Sequence, residues 1–74
     1  MKLRFTYHAQ SQVLARHITM SRVADIIRFP DFYGDAAGGA MFYRKRFEDG
    51  ILEVICRKIG KNQNKYLVLT VYFL

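Results

Sequence analysis

Two apolar segments near the C terminus limit what this chain can fold into more than any other feature of its sequence. Residues 51–59 and 66–73 are dense in Ile, Val, Leu and Tyr, and a polar loop, 60–64, lies between them. Such segments are typical of β-strands, and a short loop between two strands favours an antiparallel pair. Residues 41–47 are rich in aromatic and long side chains, and the turn residues 48–50 connect them to the first of these strands. We therefore predict an antiparallel meander in the second half of the chain.

Two short helices are predicted before these strands. Thr6 is a good N-cap for a helix that begins at Tyr7 and ends near His17. Thr19 is a good N-cap for a second helix, and Pro30 ends it, because the residue before a proline is pushed out of the helical region. The apolar residues of this second segment recur at intervals of three and four, which predicts one buried face: Met20, Val23, Ile26 and Ile27.

The length of the chain, 74 residues, favours one domain, 1–74, with a single small core. At this size the helices must cover one face of the sheet, because nothing else can bury it. The predicted fold is therefore α+β, with two N-terminal helices packed on one face of a three- to four-stranded antiparallel sheet. Phe32-Tyr33 is a candidate for a short strand, and Leu3–Phe5 for a brief strand at an edge. Strict alternation along the strands predicts these core side chains: Leu52, Val54, Cys56, Leu67, Leu69, Val71 and Phe73.

The charge of the chain favours a polyanionic partner. Its formal net charge is +6, residues 54–74 contain four basic and no acidic residues, and residues 44–46 form a second basic block. A balance of this kind suits nucleic acid or an acidic protein, although a modest basic excess is also common on ordinary solubilising surfaces. The residues predicted to bind a nucleic-acid backbone are Arg44, Lys45, Arg46, Lys58, Lys61 and Lys65.

Several other classes of protein are disfavoured. Cys56 is the only cysteine, which excludes a disulfide within the chain, and the two histidines lack the spacing of metal ligands. We therefore expect no metal and no other cofactor. The N-terminal residues 1–5 contain no apolar run of the length that a signal peptide or a membrane span needs, so we expect a cytoplasmic protein with no membrane partner.

A polar stripe on the first predicted helix carries the residues best suited to catalysis. At about 100° per residue, His8, Gln12 and Arg16 lie within an arc of roughly 80°, beside apolar residues that face the core. Metal-independent RNA cleavage needs a base for the ribose 2′-hydroxyl, an acid for the leaving oxygen and cations for the phosphorane. His8 suits the proton transfers, because histidine titrates near neutrality, and Arg16 suits the phosphate.

Other side chains complete this hypothetical site. One or more of Arg44, Arg46 and Arg57 would add positive charge, and the Tyr72 hydroxyl would assist. Structural alternatives remain open, in which His8 is bonded to a neighbouring strand and Arg16 anchors the helix to the sheet. No other enzyme signature is present, since Gly38-Gly39 lacks the lysine and helix of a phosphate-binding loop.

Several short motifs, in the same order along the chain, resemble a prokaryotic family of domains of unknown function, number 4258. They are Thr6-Tyr7-His8-Ala9, Arg16-x-Ile18, Val23, Phe29-Pro30-Asp31, Tyr43-Arg44, Val54 and Leu69-Thr70-Val71-Tyr72. That family is similar, at a further remove, to the RelE/ParE-like toxins and other small metal-independent ribonuclease toxins. The resemblance implies a RelE-like fold, ribonuclease activity and a cognate antitoxin. It also implies that His8, Arg16, Thr70 and Tyr72 are site residues, although the chain has His17 where the family commonly has a glycine.

These observations predict a small ribonuclease of a toxin–antitoxin or polymorphic-toxin system, with RNA as its substrate. Its catalytic residues would be His8, Arg16, Arg57, Thr70 and Tyr72. One alternative is a non-catalytic basic module that binds nucleic acid or a partner protein. Another is a homodimer in which Phe42 and Phe47 pair across an exposed sheet edge.

Overall fold

A computed structural model describes all residues of the chain, 1–74, as two helices and one five-stranded sheet. In chain order the elements are β1 (Lys2–Phe5), α1 (Tyr7–Ala15), α2 (Met20–Arg28), β2 (Phe32–Asp35), β3 (Met41–Phe47), β4 (Gly50–Ile59) and β5 (Lys65–Phe73), with a 3-10 turn at Ala37–Gly39. The α+β class and both helices, with Thr6 and Thr19 as their N-caps, are confirmed. Neither helix has the length and apolar character that crossing a membrane requires.

The sheet is mixed and has one strand more than the largest number predicted. Its strand order is β1-β5-β4-β3-β2, with β1 parallel to β5 and all other neighbours antiparallel. The prediction of a three- to four-stranded antiparallel sheet is therefore wrong. Lys2 lies opposite Lys65, so the first strand pairs with the last. The sequence of β1 does not indicate this pairing, because the partner strand is at the other end of the chain.

The two helices cover one face of the sheet, and the core lies between the two layers. Side chains from both helices and from the central strands are fully buried there: Ala9, Val23, Ile26, Leu52, Val54, Val68 and Val71. Met20 was predicted to belong to this buried face, but it is exposed because it is the first residue of α2. The other face of the sheet carries no helix, and we call it the open face.

A β-bulge in β5 changes which of its side chains enter the core. Thr70 lies opposite Ile55 and Val68 opposite Cys56, so Leu69 has no partner on β4. The bulge shifts the alternation by one residue, and Val68, not Leu67 or Leu69, is fully buried. The prediction that Leu67 and Leu69 belong to the core is therefore wrong.

The connection between α1 and α2 is a Schellman motif. The backbone N–H of His17 donates to the carbonyl oxygen of Leu14 at 3.3 Å, and that of Ile18 donates to Val13 at 2.9 Å. Ile18 is buried, so the motif also anchors the connection in the core. It places His17 in the left-handed region, with φ of 55°, where a residue with a Cβ atom is strained.

Replacing His17 with glycine is therefore expected to stabilise the fold by about 1 kcal/mol, because relief of the left-handed strain exceeds the added entropy of the unfolded chain. For a domain of this size, that corresponds to a rise in Tm of about 4–8 °C, measured by circular dichroism. Arg16→Gly is the matched control. Arg16 has φ of −105°, so glycine should bring no gain there. Equal changes in Tm for the two variants would argue against strain at His17.

Candidate nucleic-acid interface

The open face of the sheet combines basic and aromatic side chains. Residues directly opposite one another on neighbouring strands share a face, so the strand register assigns six basic residues to this face: Lys2, Arg4, Arg44, Arg46, Arg57 and Lys65. Glu53 is the only acidic residue of the strands on this face, and Phe32, Phe42 and Tyr72 lie among the cations. Cations interleaved with aromatic rings are typical of surfaces that bind single-stranded nucleic acid.

Gln12 connects the polar stripe of α1 to the border of the open face. Because β1 pairs with only the first half of β5, no strand pairs with the outer edge of the second half of β5. Gln12 Oε1 accepts hydrogen bonds there from the backbone N–H of Val71, at 2.7 Å, and from the hydroxyl of Thr70, at 2.9 Å. His8 and Arg16 lie one helical turn before and after Gln12. Three of the predicted catalytic residues, His8, Arg16 and Thr70, are thus brought to one region.

Both ends of this stripe are exposed to solvent. The side chains of His8 and Arg16 make no hydrogen bond or salt bridge within the protein. The structural alternatives, a bond from His8 to a strand and an anchor from Arg16 to the sheet, therefore find no support. About 12 Å of helix separates the two residues, a distance that the long, unbonded side chain of Arg16 can reduce by extending toward His8.

Glu53 forms a buried network that sequence reasoning missed. Its side chain is on the open face, yet the residue is only 3% exposed. One carboxylate oxygen accepts a hydrogen bond from Arg44 Nε at 2.5 Å, and the other accepts one from the hydroxyl of Tyr72. Phe32, Arg44, Glu53 and Tyr72 lie directly opposite one another across β2, β3, β4 and β5. Tyr72 is therefore joined to Arg44 through Glu53, and its hydroxyl proton is already engaged.

The ring of Phe42 lies across the neighbouring strand. A Cβ atom on Gly34 would come within 2.8 Å of Phe42 Cε2, so a larger residue at this position would displace the Phe42 ring. The guanidinium carbon of Arg44 lies 4.7 Å from the centroid of the Phe42 ring, a cation–π contact. Phe47 belongs to the helix-covered face and packs against the core. Since β3 is not an edge strand, the predicted homodimer contact, in which Phe42 and Phe47 pair across an exposed sheet edge, is wrong.

Arg57 lies on the open face near the turn between β2 and β3. It is exposed, and its Nη2 atom would be 3.5 Å from a Cβ atom added to Gly38. Arg57 follows Ile55, the partner of Thr70, by two residues on the same strand, so it occupies the row next to Thr70. The phosphate-stabilising role predicted for Arg57 is compatible with this position.

The six residues predicted to bind the nucleic-acid backbone do not form one surface. Arg44, Arg46 and Lys65 lie on the open face, whereas Lys45 and Lys58 alternate with their neighbours onto the other side of the sheet. Lys45 Nζ donates to the carbonyl oxygen of Phe29 at 2.7 Å, and so holds the end of α2. Lys61 lies in the exposed loop between β4 and β5.

The chemistry of Cys56 is suppressed by its surroundings. Burial raises the pKa of the Cys56 thiol to about 11, although the charge of Lys58 acts in the opposite direction. The thiol is therefore protonated at neutral pH, which agrees with an inert core cysteine. Elsewhere in the fold, no three His, Cys, Asp or Glu side chains come together to hold a metal ion.

No protein-family model, curated protein or solved structure matches this chain. The resemblance to the toxin-like families therefore stays a prediction from the motifs, and functional assignment depends on the side chains themselves.

Proposed function

We propose that this protein is a small ribonuclease of the toxin type, which binds single-stranded RNA on its open face and cleaves it without a metal ion beside α1. The observation that carries this proposal is the pair of hydrogen bonds from Thr70 and Val71 to Gln12 Oε1. They hold the His8–Arg16 stripe at the border of the open face. An RNA strand lying on the basic side chains of that face would pass within reach of His8.

The cleavage step assigns one role to each group. His8 takes the proton of a ribose 2′-hydroxyl, whose oxygen then attacks the adjacent phosphorus. The 5′-oxygen of the next nucleotide leaves and takes a proton from the imidazolium or from water, which gives a 2′,3′-cyclic phosphate. Arg16 and Arg57 stabilise the negative charge that builds up on the phosphorane oxygens.

Thr70 and Tyr72 have different roles in this proposal from the catalytic ones first predicted. The hydroxyl of Thr70 donates to Gln12, and that of Tyr72 donates to Glu53, so neither has a free proton to give. Both are therefore positioning residues: Thr70 fixes α1 against β5, and Tyr72, through Glu53, helps to fix Arg44.

The toxin interpretation also implies two further properties. One is a RelE-like arrangement of the helices and the sheet, and the other is a cognate antitoxin. An antitoxin that blocks the site would have to cover the open face, whose strands carry six basic residues and one acidic residue. Charge complementarity then calls for an acidic protein segment. The motif resemblance, and not the fold alone, leads to this part of the proposal.

The proposal is tested by incubating the folded protein with single-stranded RNA in EDTA. We expect cleavage with a 2′,3′-cyclic phosphate at the new end, and we expect it to weaken steeply as salt rises, because phosphate contacts release counterions. Chromatography of the products and mass spectrometry identify that end. RNA that is bound but left intact, in EDTA and in magnesium alike, would refute the ribonuclease assignment.

That result would favour the second candidate, a basic module that binds RNA without cleaving it. The observation in its favour is that no hydrogen bond orients the His8 side chain, whereas general bases in enzymes are commonly held by a third group. The same open face would then serve binding alone.

A further inference from the structure

A pocket of about 420 Å³ opens on the open face, away from α1. Its apolar walls are Phe32 on β2, Ile51 on β4 and Leu74 after β5, and Arg44 and Arg46 on β3 supply positive charge. Leu74 is held in place by a hydrogen bond from its backbone N–H to the carbonyl oxygen of Ile51, at 2.9 Å. The volume lies within the range of pockets that hold small organic ligands.

The apolar part of this pocket suits a flat ring. Phe32 is 67% exposed, so most of this large aromatic side chain is open to solvent. Its register partner is Arg44, so no aromatic side chain of β3 lies directly opposite it on this face. An exposed ring of this kind provides a stacking surface for a nucleobase, and such stacking is independent of base identity to a first approximation.

The charged part suits a phosphate. Arg44 is oriented by Glu53 and by the Phe42 ring, but its two terminal nitrogens make no hydrogen bond within the protein. The guanidinium of Arg46 is also free, and the residue is exposed. Guanidinium groups bind phosphate oxygens through paired hydrogen bonds, and an arginine that is already oriented loses less entropy on binding.

The other charges around the pocket are already engaged. The carboxylate of Asp31 accepts a hydrogen bond from the backbone N–H of Arg46 at 2.8 Å, and Lys45 Nζ is bonded to Phe29. The two free guanidinium groups outnumber the single carboxylate of Asp31, and the aromatic ring of Phe32 lies beside them. A base and a phosphate joined through a sugar match this combination.

We propose that this pocket is a subsite for one nucleotide of the bound strand, with its base against Phe32 and its phosphate at Arg44 and Arg46. The inference rests on the proposed function, since the strand it holds is the RNA to be cleaved. The row of side chains that contains Arg46 and Ile51 lies two rows from Thr70, or about 13 Å along the strands. The subsite therefore anchors the RNA at a distance from His8. It determines which phosphodiester bond of the RNA reaches His8.

The test compares Phe32→Ala with Tyr33→Ala. Tyr33 is the adjacent residue of β2 and is 68% exposed, but it belongs to the helix-covered face. Binding of a fluorescent RNA pentanucleotide is measured by anisotropy, and the amide NMR spectrum is recorded with each ribonucleoside 5′-monophosphate. We expect Phe32→Ala to weaken pentanucleotide binding by about 5- to 100-fold, and Tyr33→Ala to change it less than twofold.

In the wild type, the monophosphates should shift the amide signals of Phe32, Arg46 and Ile51. Equal losses from the two alanine variants, or none from either, would overturn the subsite. Equal amide shifts from inorganic phosphate would mean that the pocket binds anions in general and is not a nucleotide subsite. Shifts produced by an acidic peptide and not by any nucleotide would assign the pocket to a protein segment instead.

The subsite and the ribonuclease can fail separately. Nucleotide binding at Phe32 without any RNA cleavage would support the subsite proposal and refute the ribonuclease proposal. Cleavage that depends on His8 but is insensitive to Phe32→Ala, in rate and in binding, would retain the enzyme and refute the subsite.

Discussion

A variant in which alanine replaces His8 is expected to cleave RNA about 100- to 10,000-fold more slowly than the wild type, with RNA affinity unchanged. The imidazole of His8 is the only side chain of the stripe on α1 that can accept a proton as a general base, so its loss leaves the 2′-hydroxyl without a proton acceptor. His8 is exposed and makes no hydrogen bond within the protein, so the substitution should not disturb the fold. Single-turnover cleavage in EDTA gives the rate, and anisotropy gives the affinity.

His17→Asn is the matched control for this experiment. It removes the only other histidine, and asparagine tolerates the left-handed conformation at that position. Its cleavage rate should equal that of the wild type. Induced expression provides an independent readout: the wild type and His17→Asn should arrest growth, and His8→Ala should not. If His8→Ala cleaves as fast as the wild type, His8 is not the proton acceptor and the catalytic role proposed for it is refuted.

The helices could be predicted from the sequence because their signals are local. Thr6 and Thr19 are caps whose side chains accept from backbone N–H groups three residues later, and the apolar spacing of α2 is contained within the helix. The stripe that contains His8, Gln12 and Arg16 follows from the geometry of one helix in the same way. That Gln12 would bond to Val71 could not be predicted, since it depends on where β1 stops pairing with β5.

The errors in the sheet arise from properties that are not local. Leu67, Val68 and Leu69 are all apolar, so a strand with the bulge and one without it have the same hydrophobic pattern. The parallel pairing of β1 with β5 likewise joins the two ends of the chain. Strand alternation did contain one usable signal. In a strand through residues 44–46, the middle side chain must face away from its two neighbours, which separates Lys45 from Arg44 and Arg46.

Glu53 was overlooked because a lone carboxylate among basic residues is usually a surface charge. Only the register of three strands shows that Arg44 and Tyr72 lie on either side of it. Burial of a charged group is costly unless its oxygens are satisfied, and here each oxygen has one donor. The carboxylate thus fixes a basic and an aromatic side chain on the surface that we propose for RNA.

Replacing Glu53 with alanine is expected to lower the free energy of unfolding by about 2–3 kcal/mol, which corresponds to a fall in Tm of about 10–20 °C. The variant leaves the half-buried hydroxyl of Tyr72 without its acceptor. It also leaves a cavity where the buried Glu53 side chain packed between Arg44 and Tyr72. The contribution from Arg44 is smaller, because its side chain is 41% exposed and can turn to water. Denaturation in urea and by heat, followed by circular dichroism, measures the change.

Two variants identify the cause of that loss. Glu48→Ala removes an exposed carboxylate that makes no hydrogen bond, so its effect should stay within about 0.5 kcal/mol. Glu53→Gln keeps the shape of the side chain but removes its charge, and we expect a loss of about 1 kcal/mol. A loss in Glu53→Ala no larger than that in Glu48→Ala would mean that the carboxylate does not hold the network together. Arg44 and Tyr72 would then owe their positions to packing against Phe42 and the neighbouring strands alone.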